Sequence, residues 1–245
     1  MQYKSIFISD VHLGTRGCKA KLLISFLKNN DCEKLYLVGD IVDGWRLKKK
    51  FFWPQEHSNV VRKILTKAKQ GTKVIWIAGN HDEFLRSWIK YNLRFGRIKI
   101  VNRCDHYGVD GKKYLVIHGD LFDGITVMHK WVALLGDMAY DFLLRINTHF
   151  NNFRRFFGMP YWSLSKFLKS KAKKAVNFIN NYEKTITSYA HKKGYDGVIC
   201  GHIHCAAKKT IDNTLYYNSG DWVESCTALV EHNDGTWEII EWKES

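Results

Sequence analysis

The chain alternates short apolar runs, rich in β-branched and aromatic residues, with longer stretches in which apolar residues recur every three or four positions. The short runs predict strands at residues 4–9, 34–39, 73–79, 97–101, 114–119 and 197–202. The longer stretches predict helices at 20–30 and 59–71, which end at asparagine and glycine stop signals. Alternating strands and helices indicate an α/β core.

The last part of the chain shows a different pattern, with strands that follow one another. Three strand-like runs at 214–220, 226–232 and 236–242 follow one another without helices between them. The turn sequence Asn233-Asp234-Gly235 separates the last two runs. We therefore expect the chain to end in an antiparallel meander.

Residues 122–193 interrupt the alternation. The stretch 125–146 is apolar on most sides, but its charged residues are too frequent for a transmembrane span. From Leu164 onward, apolar residues recur at steps of three and four, which predicts a long amphipathic helix. We interpret 122–193 as a helical cap inserted into an α/β core formed by residues 1–121 and 194–245.

The length of 245 residues fits one globular domain with a sizeable insertion. The sequence shows no basic and then apolar leader at its start, which predicts a cytoplasmic protein. Six cysteines occur without a C-x-x-C spacing, and in a cytoplasmic chain this favours reduced thiols over disulfides.

Positive charge is concentrated in the predicted cap. The whole chain has a net charge of +14, and residues 124–193 hold twelve Lys/Arg against three Asp/Glu, or +9. This excess predicts an anionic partner, such as a nucleotide, a nucleic acid or an anionic membrane surface. A solvated basic face is the alternative interpretation.

Polar residues that can bind metal follow the predicted core strands. They are Asp10 and His12, Asp40 and Asp43, Asn80 and His81, His118, and His202 and His204. Because the carboxyl ends of the strands in an α/β sheet meet at one edge, we expect these side chains to converge there. The sequence thus predicts a metal site built from oxygen and nitrogen ligands.

Two cysteines, Cys200 and Cys205, bracket His202 and His204 and raise the alternative of a structural zinc site. Four tetrahedral ligands within six consecutive residues would strain the backbone, so we interpret the cysteines as bystanders. Seven of these polar residues supply oxygen or nitrogen ligands and suit two cations that share Asp40, about 3.5–4 Å apart. They are Asp10, His12, Asp40, Asn80, His118, His202 and His204. Carboxylates and imidazoles without thiolate favour Mn²⁺ or Fe, with Zn²⁺ and Co²⁺ as alternatives.

The polar residues form an ordered series of D-x-H, G-D-x-x-D, G-N-H-D, a histidine and G-H-x-H between residues 10 and 204. This series resembles the calcineurin-like metallophosphoesterases, a likeness that implies a two-sheet sandwich flanked by helices. It also implies two metal sites, the first held by Asp10, His12, Asp40 and His204, and the second by Asp40, Asn80, His118 and His202. His81 is then a candidate proton donor or phosphate contact, and Asp43 a candidate partner that orients a ligand histidine.

Within that superfamily the chain is most similar to the UDP-2,3-diacylglucosamine pyrophosphatase family. The similar segments are SDVHLGTRG, YLVGDIVDGWR, GNHDEF, VIHGD, PYWSLS and GDWVESCTALVE. The resemblance implies hydrolysis of UDP-2,3-diacylglucosamine to UMP and 2,3-diacylglucosamine 1-phosphate in lipid A synthesis. It makes Arg155, Lys171 and Lys174 candidate substrate contacts, and it suits a peripheral position on the inner face of an anionic membrane. Well-studied members carry arginine at the position of His81, so the nucleotide contact of that arginine is not carried over.

Two other functions stay open at this stage. The first is a phosphodiesterase that acts on another lipid, a nucleotide or a nucleic acid. The sequence disfavours nucleic acid, since it shows no strands that interleave basic and aromatic residues for single-stranded binding. The second is a non-catalytic scaffold, which the intact set of seven metal ligands disfavours.

Overall fold

The structure, a computed structural model, describes residues 2–92, 94–122 and 164–243, without the side chains of 164–172, 174 and 175. The apolar stretch 125–146 of the predicted cap lies outside the described residues. Its described strands are β1 (Gln2–Ile8), β2 (Asp31–Val38), β3 (Lys73–Ile77), β4 (Arg94–Phe95), β5 (Ile98–Val101), β6 (Arg103–Tyr107), β7 (Lys113–Ile117), β8 (Gly197–Cys200), β9 (Ala207–Ile211), β10 (Thr214–Asn218), β11 (Thr227–Glu231) and β12 (Trp237–Glu241). The α-helices are α1 (Ala20–Asn29), α2 (Gly44–Lys49), α3 (Gln55–Lys69), α4 (Arg86–Ile89) and α5 (Leu164–Lys192).

The first sheet has the strand order β12-β11-β1-β2-β3-β5-β4, and β1, β2, β3 and β5 run parallel. Its central strands carry apolar side chains on both faces, since each face packs against other parts of the protein. On β1, Ile6 and Ile8 pack in the same cluster as Leu23 and Phe26 of α1, whereas Phe7 between them belongs to a second cluster. Successive side chains of the strand point to opposite faces of the sheet, so they pack into two separate hydrophobic cores.

The second core lies between the first sheet and a second sheet with the order β6-β7-β8-β10-β9. Phe7 and Tyr36 of the first sheet stack with ring centroids 4.4 Å apart, and Tyr114 and Tyr217 of the second sheet stack at 5.7 Å. Trp237 contacts rings of both pairs. The two-sheet α/β sandwich that the sequence predicts is therefore confirmed.

The predicted antiparallel meander at the end of the chain is wrong. Strand β10 runs parallel to β8 in the second sheet, whereas β11 and β12 form a hairpin beside β1 in the first sheet. The segment between β10 and β11 carries the chain from one sheet to the other, and it buries Trp222 completely. Strand patterns alone do not reveal such a change of sheet.

Two edge strands of the second sheet are absent from the sequence prediction. Strand β6 reads RCDHY and strand β9 reads AKKTI, so neither contains an apolar run. Edge strands carry polar residues because one of their sides faces solvent, and this composition hides them from a search for apolar runs.

The chain divides into two compact units, Met1–Phe122 with Lys184–Ser245, and Asp123–Glu183. Helix α5 begins at Leu164 as the periodicity predicts, and its last turns bury Ile186 and Ala190 in the first unit. The assignment of 122–193 to a helical cap stays a prediction. No helix within the described ranges is long and apolar enough to cross a membrane.

Candidate metal centre

The loops that follow the core strands adopt an unusual backbone conformation. Nine described non-glycine residues have positive φ, and five of these are predicted metal ligands. They are Asp10 (51°), His12 (52°), Asp40 (53°), His202 (72°) and His204 (53°). The left-handed region costs an L-residue about 1–2 kcal/mol, and such strain persists where the surrounding structure holds it, often at functional sites.

Hydrogen bonds between the loops hold this strained backbone. Asp10 N donates to Gly39 O at 3.1 Å, and His12 N donates to Asp40 O at 2.9 Å. The two carboxylates bind backbone as well, since Asp10 Oδ2 accepts from His202 N at 2.9 Å and Asp40 Oδ1 accepts from His81 N at 2.8 Å. The loops of both sheets are thus tied into one network.

Glycines before the ligands allow the loops to approach closely. A Cβ atom at Gly39 would overlap the imidazole of His118, and one at Gly79 would overlap the carboxylate of Asp40. This requirement explains why three of the five ligand blocks, G-D-x-x-D, G-N-H-D and G-H-x-H, begin with glycine after the strand.

The structure brings all seven predicted ligands to the same edge of the sandwich. Candidate ligand atoms form three groups, each within 4.8 Å: Asp10 with His12 and His204, His12 with Asp40 and His81, and Asp40 with His118 and His202. Asn80 Oδ1 lies 3.3 Å from His118 Nε2. Asp40 and His12 each occur in two groups, and none of these groups among the described residues includes a cysteine.

Hydrogen bonds orient the histidines of the site. His118 Nδ1 donates to Val38 O at 2.9 Å, which leaves Nε2 directed at Asp40 Oδ2, 3.3 Å away. His12 Nδ1 lies 3.3 Å from Asp43 Oδ2, so Asp43 stands where the predicted orienting role requires it. Such outer partners fix which ring nitrogen is available to a metal.

Sequence reasoning missed Asp221, which lies beside another ligand histidine. Its Oδ1 is 3.9 Å from His204 Nδ1 and accepts a hydrogen bond from Val223 N at 2.8 Å, whereas its Oδ2 accepts one from Ser225 Oγ at 2.7 Å. The signal was present, because Asp221 follows a glycine just after β10 as Asp40 follows one after β2.

Asp82 is a second residue that sequence reasoning left without a role. Its buried carboxylate accepts from Ile41 N and Trp76 Nε1, both at 3.0 Å, and from Gly79 N. Burial and the nearby Asp40 raise its pKa. Asp82 therefore joins the loop after β2 to the loop after β3, and both loops carry candidate metal ligands.

The donor atoms fit a pair of cations. Asp10 Oδ1 lies 3.0 Å from His204 Nε2, and the buried Nε2 of His12 has no hydrogen-bond partner among the described residues. Burial opposes ionisation of Asp10, but the imidazoles of His204 and His118 outweigh it and lower its pKa. Burial likewise favours neutral His118, but Asp40 outweighs it and raises the pKa of His118 to about 10. Buried carboxylates that stay ionised and favour charged imidazoles beside them also attract a divalent cation.

His81 lies at the partly exposed side of the centre. Its Nδ1 is 3.1 Å from Asp43 Oδ1, its Nε2 is 4.0 Å from Asp40 Oδ2, and its ring lies 4.4 Å from that of Trp45. Burial lowers the pKa of His81, but Asp43 and Asp40 outweigh it and raise the pKa above its ordinary value. This histidine is held between a carboxylate and an aromatic ring.

The predicted substrate contacts cannot be placed beside the centre. Arg155 lies outside the described residues, and Lys171 and Lys174 lie in α5 with side chains that are not described.

Comparison with solved structures agrees with the fold. The hypothetical protein PH1004 from Pyrococcus horikoshii OT3 aligns over 100% of this chain and 89% of its own, with a TM-score of 0.51 and 12% identity. At this identity the likeness concerns the fold alone.

Sequence relatives are similar over part of the chain. A UDP-2,3-diacylglucosamine hydrolase of Porphyromonas gingivalis is 26% identical over 131 residues, 49% of this chain and 47% of that protein. One from Histophilus somni is 27% identical over 124 residues, 48% of this chain and 49% of that protein. The chain spans about half the length of the curated relatives it matches. The family model described as calcineurin-like phosphoesterase matches residues 3–206. The chain therefore belongs to the calcineurin-like phosphoesterase family.

Proposed function

We propose that the protein hydrolyses the diphosphate of UDP-2,3-diacylglucosamine to UMP and 2,3-diacylglucosamine 1-phosphate with two Mn²⁺ ions. The observation that carries the proposal is Asp40, whose carboxylate lies in two of the three ligand groups. A shared carboxylate is the feature by which a protein holds two cations side by side.

Each ion takes four donors from the set already described. Asp10, His12, Asp40 and His204 hold the first ion, and Asp40, Asn80, His118 and His202 hold the second. Oxygen and imidazole donors without thiolate support Mn²⁺ over softer metals. When bound, the two cations make a water more acidic and neutralise charge on the phosphate.

Hydrolysis forms a bond from a water oxygen to phosphorus and breaks the bond from phosphorus to the bridging oxygen, which leaves with a proton. His81 supplies that proton from Nε2, because its Nδ1 is directed at Asp43 and Nε2 is directed at the ligand groups. Asp43 keeps the ring in this orientation and favours its protonated form.

The choice of substrate rests on two further observations. Relatives named UDP-2,3-diacylglucosamine hydrolase match about half of the chain. The excess of positive charge in residues 124–193 suits a substrate that carries a diphosphate. We place the protein in lipid A synthesis on this basis, with residues 122–193 as a cap over the acyl chains and Arg155, Lys171 and Lys174 as substrate contacts.

The test is product identification by mass spectrometry. Protein loaded with Mn²⁺ is incubated with UDP-2,3-diacylglucosamine in detergent micelles and ¹⁸O-labelled water. We expect UMP and the sugar 1-phosphate, with the label in UMP if water attacks the phosphorus attached to uridine. Asp40→Asn abolishes turnover in this scheme, whereas Asp234→Asn retains it, because Asp234 is an exposed carboxylate of the β11–β12 turn.

Two results would contradict the proposal in different ways. If the lipid survives while an aryl phosphodiester is cleaved in an Asp40-dependent manner, the hydrolase stands and the substrate is another phosphodiester. If Asp40→Asn retains full activity on both compounds, the shared metal site is wrong.

A further inference from the structure

A cavity of about 550 Å³ opens on the first unit of the chain. It is lined by the start of α1, by the start of α3, and by residues 224–226 and 241–243. None of its described lining residues is a candidate metal ligand. Small-molecule sites usually measure about 300–1,000 Å³, so the cavity is large enough for a small organic ligand.

Two helices begin at this cavity without a side chain that caps them. Lys19 is the N-cap residue of α1 and Pro54 is that of α3, and neither makes a side-chain hydrogen bond to its helix. Both residues line the cavity. The first backbone N–H groups of a helix carry partial positive charge and favour anions, phosphate among them. The two helix starts therefore give the cavity a positive potential.

His57 places a buried hydrogen-bond donor in the same cavity. It lines the cavity and is only 2% exposed. Its Nδ1 accepts from Gly14 N at 3.0 Å, so the neutral ring carries its proton on Nε2. Burial also lowers the pKa of His57, against the opposite effect of Glu56. No described group accepts a hydrogen bond from Nε2, and a buried donor of this kind calls for an acceptor in the cavity.

Cationic side chains outnumber carboxylates in the lining. The cations are Arg16, Lys19, Lys21 and Lys243, against three glutamates. Glu224 and Glu241 are exposed and lie toward the mouth, whereas His57 is buried and lies toward the floor. Glu56 is half-buried and offsets part of the positive charge. An anionic group is therefore favoured at the floor, where the donor and the helix starts lie.

Hydrogen bonds on two sides hold the lining in place. Thr15 Oγ1 donates to His12 O at 2.9 Å, and Ser225 Oγ donates to Asp221 Oδ2 at 2.7 Å. Thr15 and Ser225 both line the cavity, and Asp221 lies beside His204. The lining is thus tied to the groups that position two candidate metal ligands. A preformed site of this kind loses little conformational freedom when a ligand binds.

We propose that this cavity is a second ligand site, which binds a small organic phosphate with its phosphate at His57 and the two helix starts. The apolar part of the ligand then lies against Phe52, whose ring centre is 5.6 Å from the Arg16 guanidinium. Phosphate suits the site better than carboxylate, because its three oxygens can accept from two helix starts and an imidazole together. The inference goes beyond the proposed function, since this ligand is bound apart from the metal ligands and is not hydrolysed.

The experiment is calorimetric titration of the full chain with phenyl phosphate and, in parallel, with inorganic phosphate. Phosphate oxygens can also bind at the metal centre, so the Asp40→Asn variant is titrated beside the unmodified chain loaded with Mn²⁺. We expect the cavity site in both proteins. Phenyl phosphate should bind at least about tenfold more tightly than inorganic phosphate, because its ring is buried against Phe52.

Two variants remove contacts of the cavity. Arg16→Gln with Lys19→Gln replaces two exposed side chains and should weaken phenyl phosphate binding about 100-fold, since each lost charged contact lowers affinity about tenfold. His57→Phe removes the buried donor and should weaken binding about tenfold. Urea unfolding checks that His57→Phe is folded, and if it is not, the variant of Arg16 and Lys19 decides.

A matched control separates the location of charge from its amount. Lys28→Gln with Lys69→Gln removes two exposed lysines from the last turns of α1 and α3, the opposite ends of the same helices. We expect this variant to bind phenyl phosphate as the unmodified chain does.

Three outcomes would overturn the inference. The first is binding by the unmodified chain with Mn²⁺ but not by Asp40→Asn, which would place the phosphate at the metal centre alone. The second is an equal loss of affinity in the control variant. The third is undiminished binding after replacement of Arg16 and Lys19.

Discussion

Replacing Gly39 by alanine tests whether close packing of the loops positions the metal ligands. Gly39 has φ of +81°, and a Cβ atom there would overlap Nδ1, Cγ and Cβ of His118. Gly111 offers a matched control, since its φ is +76° and a Cβ atom there would meet nothing within 4 Å. The two substitutions share the backbone strain and differ in the contact with His118.

The backbone strain that the two substitutions share costs little free energy of unfolding. Alanine in the left-handed region costs about 1–2 kcal/mol, and the less flexible unfolded chain offsets about 0.4–1 kcal/mol of it. We therefore expect Gly111→Ala to lower the free energy of unfolding by about 1 kcal/mol. Metal affinity should not change, because Gly111 lies in the turn between β6 and β7.

Gly39→Ala adds a clash in a site that cannot relax freely. His118 is completely buried, and its Nδ1 is held by Val38 O at 2.9 Å. Overpacking adds about 1–3 kcal/mol to the shared loss of about 1 kcal/mol, so the total loss is about 2–4 kcal/mol. A displaced His118 should also weaken Mn²⁺ binding about 10–100-fold, the usual effect of misplacing a ligand histidine.

Urea unfolding in the presence of EDTA measures the free energy of unfolding, and calorimetric titration with Mn²⁺ measures the metal affinity. The reasoning is refuted if Gly39→Ala and Gly111→Ala behave alike in both measurements. It is also refuted if Gly39→Ala is less stable but binds Mn²⁺ with unchanged affinity, since His118 would then not be a ligand.

Three further predictions concern other parts of the molecule. Glu231→Gln weakens a fully buried hydrogen bond to His106, 3.0 Å away, and should lower the free energy of unfolding by about 1.5–3 kcal/mol at neutral pH. Burial raises the pKa of Glu231, but His106 and Val109 N outweigh it and lower the pKa, so its contribution is present above about pH 4.3 and is lost as the pH falls through the folded-state pKa. The difference between the two proteins in urea unfolding should therefore shrink in acid, and a constant difference would contradict this. Asp221→Asn should weaken Mn²⁺ binding about 10–100-fold by calorimetry, with Asp234→Asn as the unaffected control. Cys205→Ala should keep the metal content measured by elemental analysis. Loss of a metal would indicate that the Cys205 thiolate is a ligand.

The core strands and the cluster of candidate metal ligands could be predicted from the sequence for one physical reason. Each central strand is apolar on both faces, so its end is marked by a sudden change to Gly, Asp, Asn or His. Asp40 after β2 and His118 after β7 were recognisable from that change alone. Convergence at one edge then follows from the direction of the strands.

The residues that support the ligands could not be predicted with equal ease. Asp82 and Asp221 act through hydrogen bonds to backbone N–H groups of their own and neighbouring loops, and such contacts depend on where the loops meet. The exposed aromatic side chains of residues 44–51 and 83–92 were also missed. Trp45 and Trp88 lie 43 positions apart in the sequence, and they become neighbouring features only because α2 packs beside the segment after β3.

The position of the ligands has a consequence for the fold as well as for the chemistry. Asp10, His12 and Asp40 follow strands of the first sheet, whereas His118, His202 and His204 follow strands of the second. Two of the three ligand groups therefore combine side chains from both sheets. A cation in either group would join the sheets at the edge where carboxylates are buried and five residues hold a left-handed backbone. Ligands that bind only the folded state stabilise it, so metal binding and the packing of the two sheets against each other should reinforce one another.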